Sequence, residues 1–188
     1  MAEEHGQVIE EELDPEREAR RRLALAQIRQ YPDPVLRMQA REVEQFDDDL
    51  RSLVARMTAL MVDAHGVGLA ATQVGILRRV AIVQNGEEPP VALVNPRLVE
   101  QSDEFDTDDE GCLSLQGVLV PVERSVRVVL EAKDPEGADI RLELEEHRAR
   151  VVQHELDHLD GVLMIDRTTP EARRGALGVL RPQPILGV

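Results

Sequence analysis

The chain has 188 residues, of which 42% are hydrophobic, and this length and composition favour one domain with a single core. The formal net charge of -15 and the aromatic content of 2% argue against nucleic-acid binding, because the sequence shows neither a basic patch nor aromatic side chains for base stacking. The N-terminus lacks the pattern of a secretory signal, and no later stretch is apolar for long enough to span a bilayer. We therefore expect a cytoplasmic protein that has no membrane partner.

The N-terminal third of the chain divides into a charged segment and an amphipathic helix. Residues 1–24 contain many charges and few apolar side chains, which predicts a mobile arm with helical potential at 15–22. Residues 25–188 are predicted to form the single domain. Asp47 or Asp48 can cap a helix that Gly66 ends. Its apolar residues recur at spacings of three and four and are Leu50, Leu53, Val54, Met57, Leu60, Met61 and Ala64.

The middle of the chain is predicted to form strands, and a second helix follows them. β-Branched or alternating segments occupy residues 79–84, 91–99, 118–122, 126–132 and 140–144, with turn-forming residues between them. The acidic run at 100–110 is interpreted as solvated surface. A helix fits residues 145–159, Gly161 closes it, and a short third helix can begin at Pro170. This order of elements has no βαβ alternation and therefore predicts an α+β fold.

The helix at 145–159 contains the sequence HELDH, which has the HExxH spacing of metal sites. His154 and His158 are four residues apart and therefore share one helical face, so that both can bind one ion with Glu155 beside them. A surface helix with exposed histidines would show the same pattern. The HExxHxxGxxH pattern of some proteases fails at Met164, and Glu171 is the candidate for a following glutamate ligand.

Cys112, the single cysteine of the chain, is a further candidate for the third ligand. A thiolate and two imidazoles would leave one coordination position open for water, and they can accept zinc, ferrous iron, cobalt or nickel. Cys112 could instead be a small core residue. The motifs themselves therefore leave three functions open, namely a hydrolase that uses Cys112, a zinc peptidase with another third ligand, and a non-catalytic module stabilised by a metal.

A glycine-rich segment, GVGLAA at 66–71, formally matches a dinucleotide-binding fingerprint. That fingerprint requires a strand before the glycines, whereas the preceding segment here is predicted to be a helix. The small residues are better suited to letting a substrate backbone come close. Gln73 adds an uncharged amide donor to this segment.

Three segments in this order resemble the signature motifs of the peptide deformylase family: GVGLAATQ at 66–73, EGCLS at 110–114 and QHELDH at 153–158. The similarity extends from YPDPVLR at 31–37 to residue 166. The resemblance implies an α+β fold in which antiparallel β-sheets pack around a central helix that carries the HExxH motif, with an N-terminal helix. It also implies an enzyme that hydrolyses the N-formyl group from N-formylmethionyl peptides of newly made proteins and releases formate.

The resemblance further implies a role for each matching residue. One divalent metal ion, Fe2+ first and Zn2+, Ni2+ or Co2+ as alternatives, would be bound by Cys112, His154 and His158. Metal-bound water would attack the formyl carbon, with Glu155 as general acid/base and with the Gln73 side chain and the Leu113 N–H as oxyanion donors. The peptide would be bound by Val67, Gly68, Gly111 and Val151.

The sequence also departs from the family pattern. Gln116 stands where many members have a proline after the cysteine motif, which leaves the rim of the peptide groove and its preferences open. The C-terminus does not resemble the long basic helix by which some relatives are thought to approach ribosomes, so ribosome docking is not carried over.

Overall fold

The computed structural model describes residues 14–180. In chain order, the elements of this range are α1 (Pro15–Leu25), α2 (Asp48–Asp63), β1 (Gly68–Ala70), β2 (Val80–Asn85), β3 (Glu88–Gln101), β4 (Phe105–Glu110), β5 (Val120–Ser125), β6 (Arg127–Lys133), β7 (Asp139–Glu145), α3 (Glu146–Leu159) and α4 (Pro170–Leu180). Short 3-10 helices lie at Pro34–Arg37, Ala71–Val74 and Met164–Asp166. The predicted α+β class is confirmed.

Antiparallel strands form two sheets within the described residues. The larger sheet has the order β1-β2-β3-β6-β7, and the smaller one pairs β4 with β5. Helix α3 contacts β1, β2, β6 and β7 of the larger sheet and β5 of the smaller one. Its apolar side chains Val151, Val152 and Leu156 are buried against the larger sheet. The helix that carries HELDH is therefore central, as the resemblance implied.

Helix α2 follows from its local sequence. The Asp47 side chain caps its first turn by accepting a hydrogen bond from the Leu50 N–H at 3.0 Å. Leu50, Met57 and Met61 are fully buried, as the apolar periodicity predicted. This helix covers β1 and β2 and leads directly into the glycine-rich segment, which it thereby places beside α3.

Residues 15–24, which were predicted to belong to a mobile arm, form all but the last residue of helix α1, which packs against the domain. The first turn of this helix is capped by the Asp14 side chain, and Pro15 stands at the first helical position, where a missing N–H is harmless. Ala24 is buried in the same core cluster as Met57 and Leu60, so the helix is docked on the domain. The predicted boundary at residue 24 therefore falls inside a packed helix. The part of the predicted arm at residues 1–13 lies outside the described residues.

The acidic run is mostly exposed to solvent, as interpreted, but part of it also forms strand β4. Phe105–Glu110 pairs along its length with β5, and Asp108 lies opposite Val122. Backbone pairing produces this strand although it lacks apolar alternation, because most of its side chains face solvent. Glu110, in contrast, is buried. Within residues 14–180, no helix is both long and apolar enough to cross a membrane.

The end of α3 gives a test of the fold. Gly161 follows the helix at a φ of +73°, and a Cβ at this position would lie 2.5 Å from the Arg37 carbonyl oxygen. We predict that Gly161→Ala lowers the free energy of unfolding by more than about 2 kcal/mol, because it combines an unfavourable φ with a backbone clash. Urea unfolding measures the change.

Gly175→Ala is the matched control for this substitution. Gly175 lies within α4, and a Cβ there would meet no atom within 4 Å. Alanine should therefore stabilise the protein by about 0.5–1 kcal/mol through helix propensity. Equal stability of the two variants would contradict this account of the α3 terminus.

Candidate active site

The structure brings the three candidate ligands together. His154 and His158 lie one turn apart on α3, and their Nε2 atoms are 3.2 Å from each other. Cys112 lies in the turn after β4, and its Sγ is 3.2 Å from the His158 Nε2. All three ligand atoms lie within 4.8 Å of one another. Two imidazoles and a thiolate around one point are a donor set that fits a zinc-type or ferrous ion with one position open to water.

Hydrogen-bond donors surround the Cys112 sulfur. The Ser114 N–H donates to Sγ at 3.4 Å, and the Gln73 Nε2 approaches it at 3.7 Å. These contacts hold the sulfur beside the His158 ring, where it can bind a metal together with the two imidazoles. The surroundings of Cys112 therefore fit a ligand better than they fit a small core residue.

Glu155 projects from α3 beside this cluster and is buried. Burial raises the pKa of its carboxyl to about 7. Its Oε2 has no hydrogen-bond partner among the described residues. A Cβ on Gly68 would lie 2.2 Å from the Glu155 Oε1, so the carboxylate has room only because residue 68 is glycine. A buried carboxyl with a free oxygen and a pKa near neutrality can both accept and release a proton.

Two potential donors lie next to the Cys112 sulfur. The Gln73 side chain is oriented by its own contacts, since its Oε1 accepts from the Ala70 N–H at 2.8 Å and its Nε2 donates to the Ser114 Oγ at 3.1 Å. Within residues 14–180, the N–H of Leu113 has no hydrogen-bond acceptor. The amide of Gln73 and the N–H of Leu113 can therefore serve a negatively charged oxygen.

Glu110 contacts the His154 ring on the side away from the other two candidate ligands. This role was not predicted from the sequence. The Glu110 Oε2 lies 2.9 Å from the His154 Nδ1, and Arg124 and Arg150 donate to its carboxylate at 2.9–3.0 Å. Burial opposes the charge of Glu110, but hydrogen bonds from His154 and Arg124 outweigh it and lower the pKa to about 2. A Nδ1–H that donates to Glu110 leaves the His154 Nε2 lone pair for a metal.

The partners of Glu110 explain why it was missed. Arg124 and Arg150 lie 14 and 40 residues further along the chain, so no local pattern connects them to an acid in a charged run. Arg124 also donates to Asp157 of α3 at 2.5 Å. The position of Glu110 directly before Gly111-Cys112 was the available signal, and the quoted EGCLS motif contained it.

A cleft of about 700 Å³ opens at this cluster. Its lining includes all four residues that were predicted to bind the peptide, namely Val67, Gly68, Gly111 and Val151. It also includes the proposed ligand and catalytic residues Gln73, Cys112, Leu113 and Glu155. Gln116, at the position where a proline was expected, also lines the cleft. His147 and Arg150 of α3 line the cleft together with Val151, so this side of the cleft is partly polar. His158, which lies deeper than its partner His154, is almost fully buried.

Comparisons with known proteins agree with one another. Residues 25–174 match the family model described as polypeptide deformylase. A peptide deformylase of Clostridium botulinum (strain Alaska E43 / Type E3) is 48% identical over 147 residues, which cover 78% of this chain and 99% of that protein. Two solved structures are similar as well. The peptide deformylase from Thermotoga maritima has 45% identity and a TM-score of 0.74, with 76% of this chain and 97% of that chain covered. The one from Synechococcus elongatus, in complex with actinonin, has 38% identity and a TM-score of 0.77, with 81% and 84% covered.

The contact between Glu110 and His154 predicts an effect on metal affinity. Glu110→Gln should weaken divalent metal binding by about 10- to 100-fold, because a partner that orients a histidine ligand typically contributes that much. Competition with a chromogenic chelator measures the affinity. Asp109→Asn, one residue away and exposed, is the control that removes the same charge. Equal affinities of the two variants would contradict the assigned role of Glu110.

Proposed function

The chain belongs to the polypeptide deformylase family, and on this basis we propose that Cys112, His154 and His158 hold one divalent metal ion beside which Glu155 acts in catalysis. The enzyme is a hydrolase that removes the formyl group from N-formyl peptides. Newly made chains that begin with formylmethionine are its proposed substrates, and formate is the proposed second product. The observation that carries the proposal is the convergence of one thiol and two imidazoles next to a buried carboxyl.

Fe2+ is the ion that we propose for this site. The Cys112 thiolate and the His154 and His158 imidazoles suit ferrous iron and also zinc, nickel or cobalt. When bound, such an ion supplies Lewis acidity, which favours deprotonation of water and polarises a carbonyl oxygen. We place the enzyme in the cytoplasm, where reducing conditions keep a lone cysteine available as a ligand.

Glu155 is proposed to transfer the proton of the reaction. Its free Oε2 can accept the proton of the attacking water, and burial keeps that proton within the site. The same carboxyl then donates the proton to the peptide amine that leaves. A pKa of about 7 suits both transfers, because the carboxyl neither holds nor loses the proton too strongly.

The formyl oxygen is proposed to lie between the Gln73 Nε2 and the Leu113 N–H. Negative charge develops on this oxygen as the carbonyl carbon becomes tetrahedral, and fixed donors stabilise it; loss of one such donor typically lowers the rate by about a hundredfold or more. Gln73 is held for this task by the Ala70 N–H and the Ser114 hydroxyl.

The small size of the formyl group is the proposed basis of selectivity. A Cβ on Gly66 would come within 2.8 Å of the Leu113 Cδ1, so the glycine-rich segment and Leu113 are tightly packed at the reaction centre. A hydrogen on the formyl carbon fits such a site, whereas a larger acyl substituent would collide with it.

Formate release from a formyl-methionyl peptide tests the function. Protein loaded with iron under anaerobic conditions should release formate, and Glu155→Gln should reduce kcat by at least about a thousandfold while the bound metal remains at one equivalent, because the amide cannot transfer the proton. The control Glu145→Gln removes a carboxylate from an exposed position just before α3 and should keep full activity.

The other functions that the motifs left open would give different results. A peptidase with another third ligand would retain its metal in Cys112→Ser and would cleave internal peptide bonds. A non-catalytic module would bind the metal and release no formate from any formyl peptide. Either result would overturn the proposed function.

A further inference from the structure

Helix α1 is an addition to the family domain that reaches the active-site cleft. The family match begins at Leu25, which is the last residue of α1, so almost all of this helix precedes the matched region. The helix has its own start signals in Asp14 and Pro15 and has acidic residues in its first turn. Its two cleft-lining residues are Arg21 and Leu25.

Contacts with the domain hold α1 in place. Ala24 is buried against α2 in the core cluster that includes Met57. Arg17 donates from Nε to the His65 Nε2 at 3.0 Å. His65 immediately precedes Gly66 and Val67, and these three residues line the cleft. The helix is therefore fixed to the segment along which a bound peptide would run.

One face of α1 presents positive charge to the cleft. Arg17, Arg21 and Leu25 are spaced by four residues and therefore form a stripe on one side of the helix. The Arg17 side chain already donates a hydrogen bond to His65, and Leu25 is apolar. Arg21 is therefore the member of the stripe that can bind a charged ligand. Such a cation is unexpected at the cleft of a chain whose formal net charge is -15.

The guanidinium of Arg21 is only weakly engaged. Its ion pair within residues 14–180 is with Glu18, one turn earlier, at 3.9 Å, and both side chains are more than one-third exposed. Such a pair contributes little stability and gives way to a better-placed carboxylate. Arg150, the other arginine of the cleft, is in contrast held by Glu110 and by backbone carbonyl groups.

We propose that Arg21 forms a downstream subsite that binds a carboxylate of the formylated peptide. This inference rests on the proposed function, which places the formyl group beside Cys112, His154 and His158. Val67 and Gly68 line the same cleft as Arg21 and Leu25, and the peptide is taken to run along them toward α1. The carboxylate can be an acidic side chain or the C-terminus of a short peptide. It is placed beyond the first residue of the peptide, whose side chain is assigned to the part of the cleft beside Val151.

Other charges in the cleft should restrict the preference for a carboxylate to one position of the peptide. Asp108 and Asp109 line the same cleft and are exposed, so they repel an acidic side chain wherever it faces them. A preference for acid should therefore appear at the peptide position that reaches Arg21 and not at its neighbours. Added salt should weaken this preference, because both charges are accessible to solvent.

The test measures kcat/KM for a series of formyl-Met-Ala-Ala-Ala-amide peptides. Glutamate or glutamine replaces each alanine in turn, and one further peptide ends in a free carboxylate. The enzymes are the iron-loaded protein, Arg21→Gln and the control Arg20→Gln, which removes the same charge from an exposed position of α1 that does not line the cleft.

We expect one glutamate peptide, or the free-carboxylate peptide, to exceed its neutral counterpart by about threefold to fivefold in kcat/KM, mainly through KM. Arg21→Gln should abolish this ratio, Arg20→Gln should keep it, and about 0.5 M salt should reduce it. The peptide whose kcat/KM increases shows whether the carboxylate is an acidic side chain or the C-terminus.

Three results would overturn the inference. If neutral peptides are turned over but no carboxylate is preferred, or if Arg21→Gln retains the preference, the subsite does not exist although the proposed function stands. If no formyl peptide is turned over at all, the proposed function fails and the subsite fails with it.

Discussion

The hydrogen bonds to the buried carboxylate of Glu110 are the interaction on which the proposed active site depends. The carboxylate receives hydrogen bonds from Arg124 of β5 and from Arg150 and His154 of α3. A carboxylate buried without such partners would be destabilising by several kcal/mol, so the smaller sheet and the central helix must meet for the chain to fold. Glu110 is also the last residue of β4, and Cys112 follows it by two residues. The contact that satisfies the carboxylate therefore also sets the position of the thiol relative to the two histidines.

The residues of the proposed site lie on segments that are distant in sequence. The central helix supplies the histidines and Glu155, the turn after β4 supplies Cys112 and the Leu113 N–H, and the 3-10 turn after β1 supplies Gln73. Glycine at position 68 is what allows the glycine-rich segment to lie against Glu155. Helix α1 then extends this cleft with residues from outside the matched family region. Residues of the matched family region and residues from outside it thus line one cleft.

Local periodicity was sufficient to predict the elements with strong amphipathic or β-branched patterns. The buried stripe of α2 and the extent of α3 follow from side-chain spacing and capping, and the strands β2, β3, β6 and β7 follow from alternation. Strand β4 could not be predicted in this way, because Phe105–Glu110 is mostly acidic and becomes a strand only by pairing with β5. The three residues of β1 are too few to show a period. Helix α1 was assigned to an arm because its docking depends on a small residue, Ala24, whose burial requires α2.

The site was predictable as far as its side chains occur in recognisable motifs. HELDH and Cys112 could be proposed from ligand chemistry, whereas the roles of Gln73 and the Leu113 N–H came from the family resemblance, since a backbone donor leaves no trace in a sequence pattern.

The most direct test of the central claim is the X-ray absorption spectrum of the protein loaded with one equivalent of zinc. The account predicts one sulfur neighbour at about 2.3 Å together with nitrogen or oxygen neighbours at about 2.0–2.1 Å. A first shell without sulfur would contradict it.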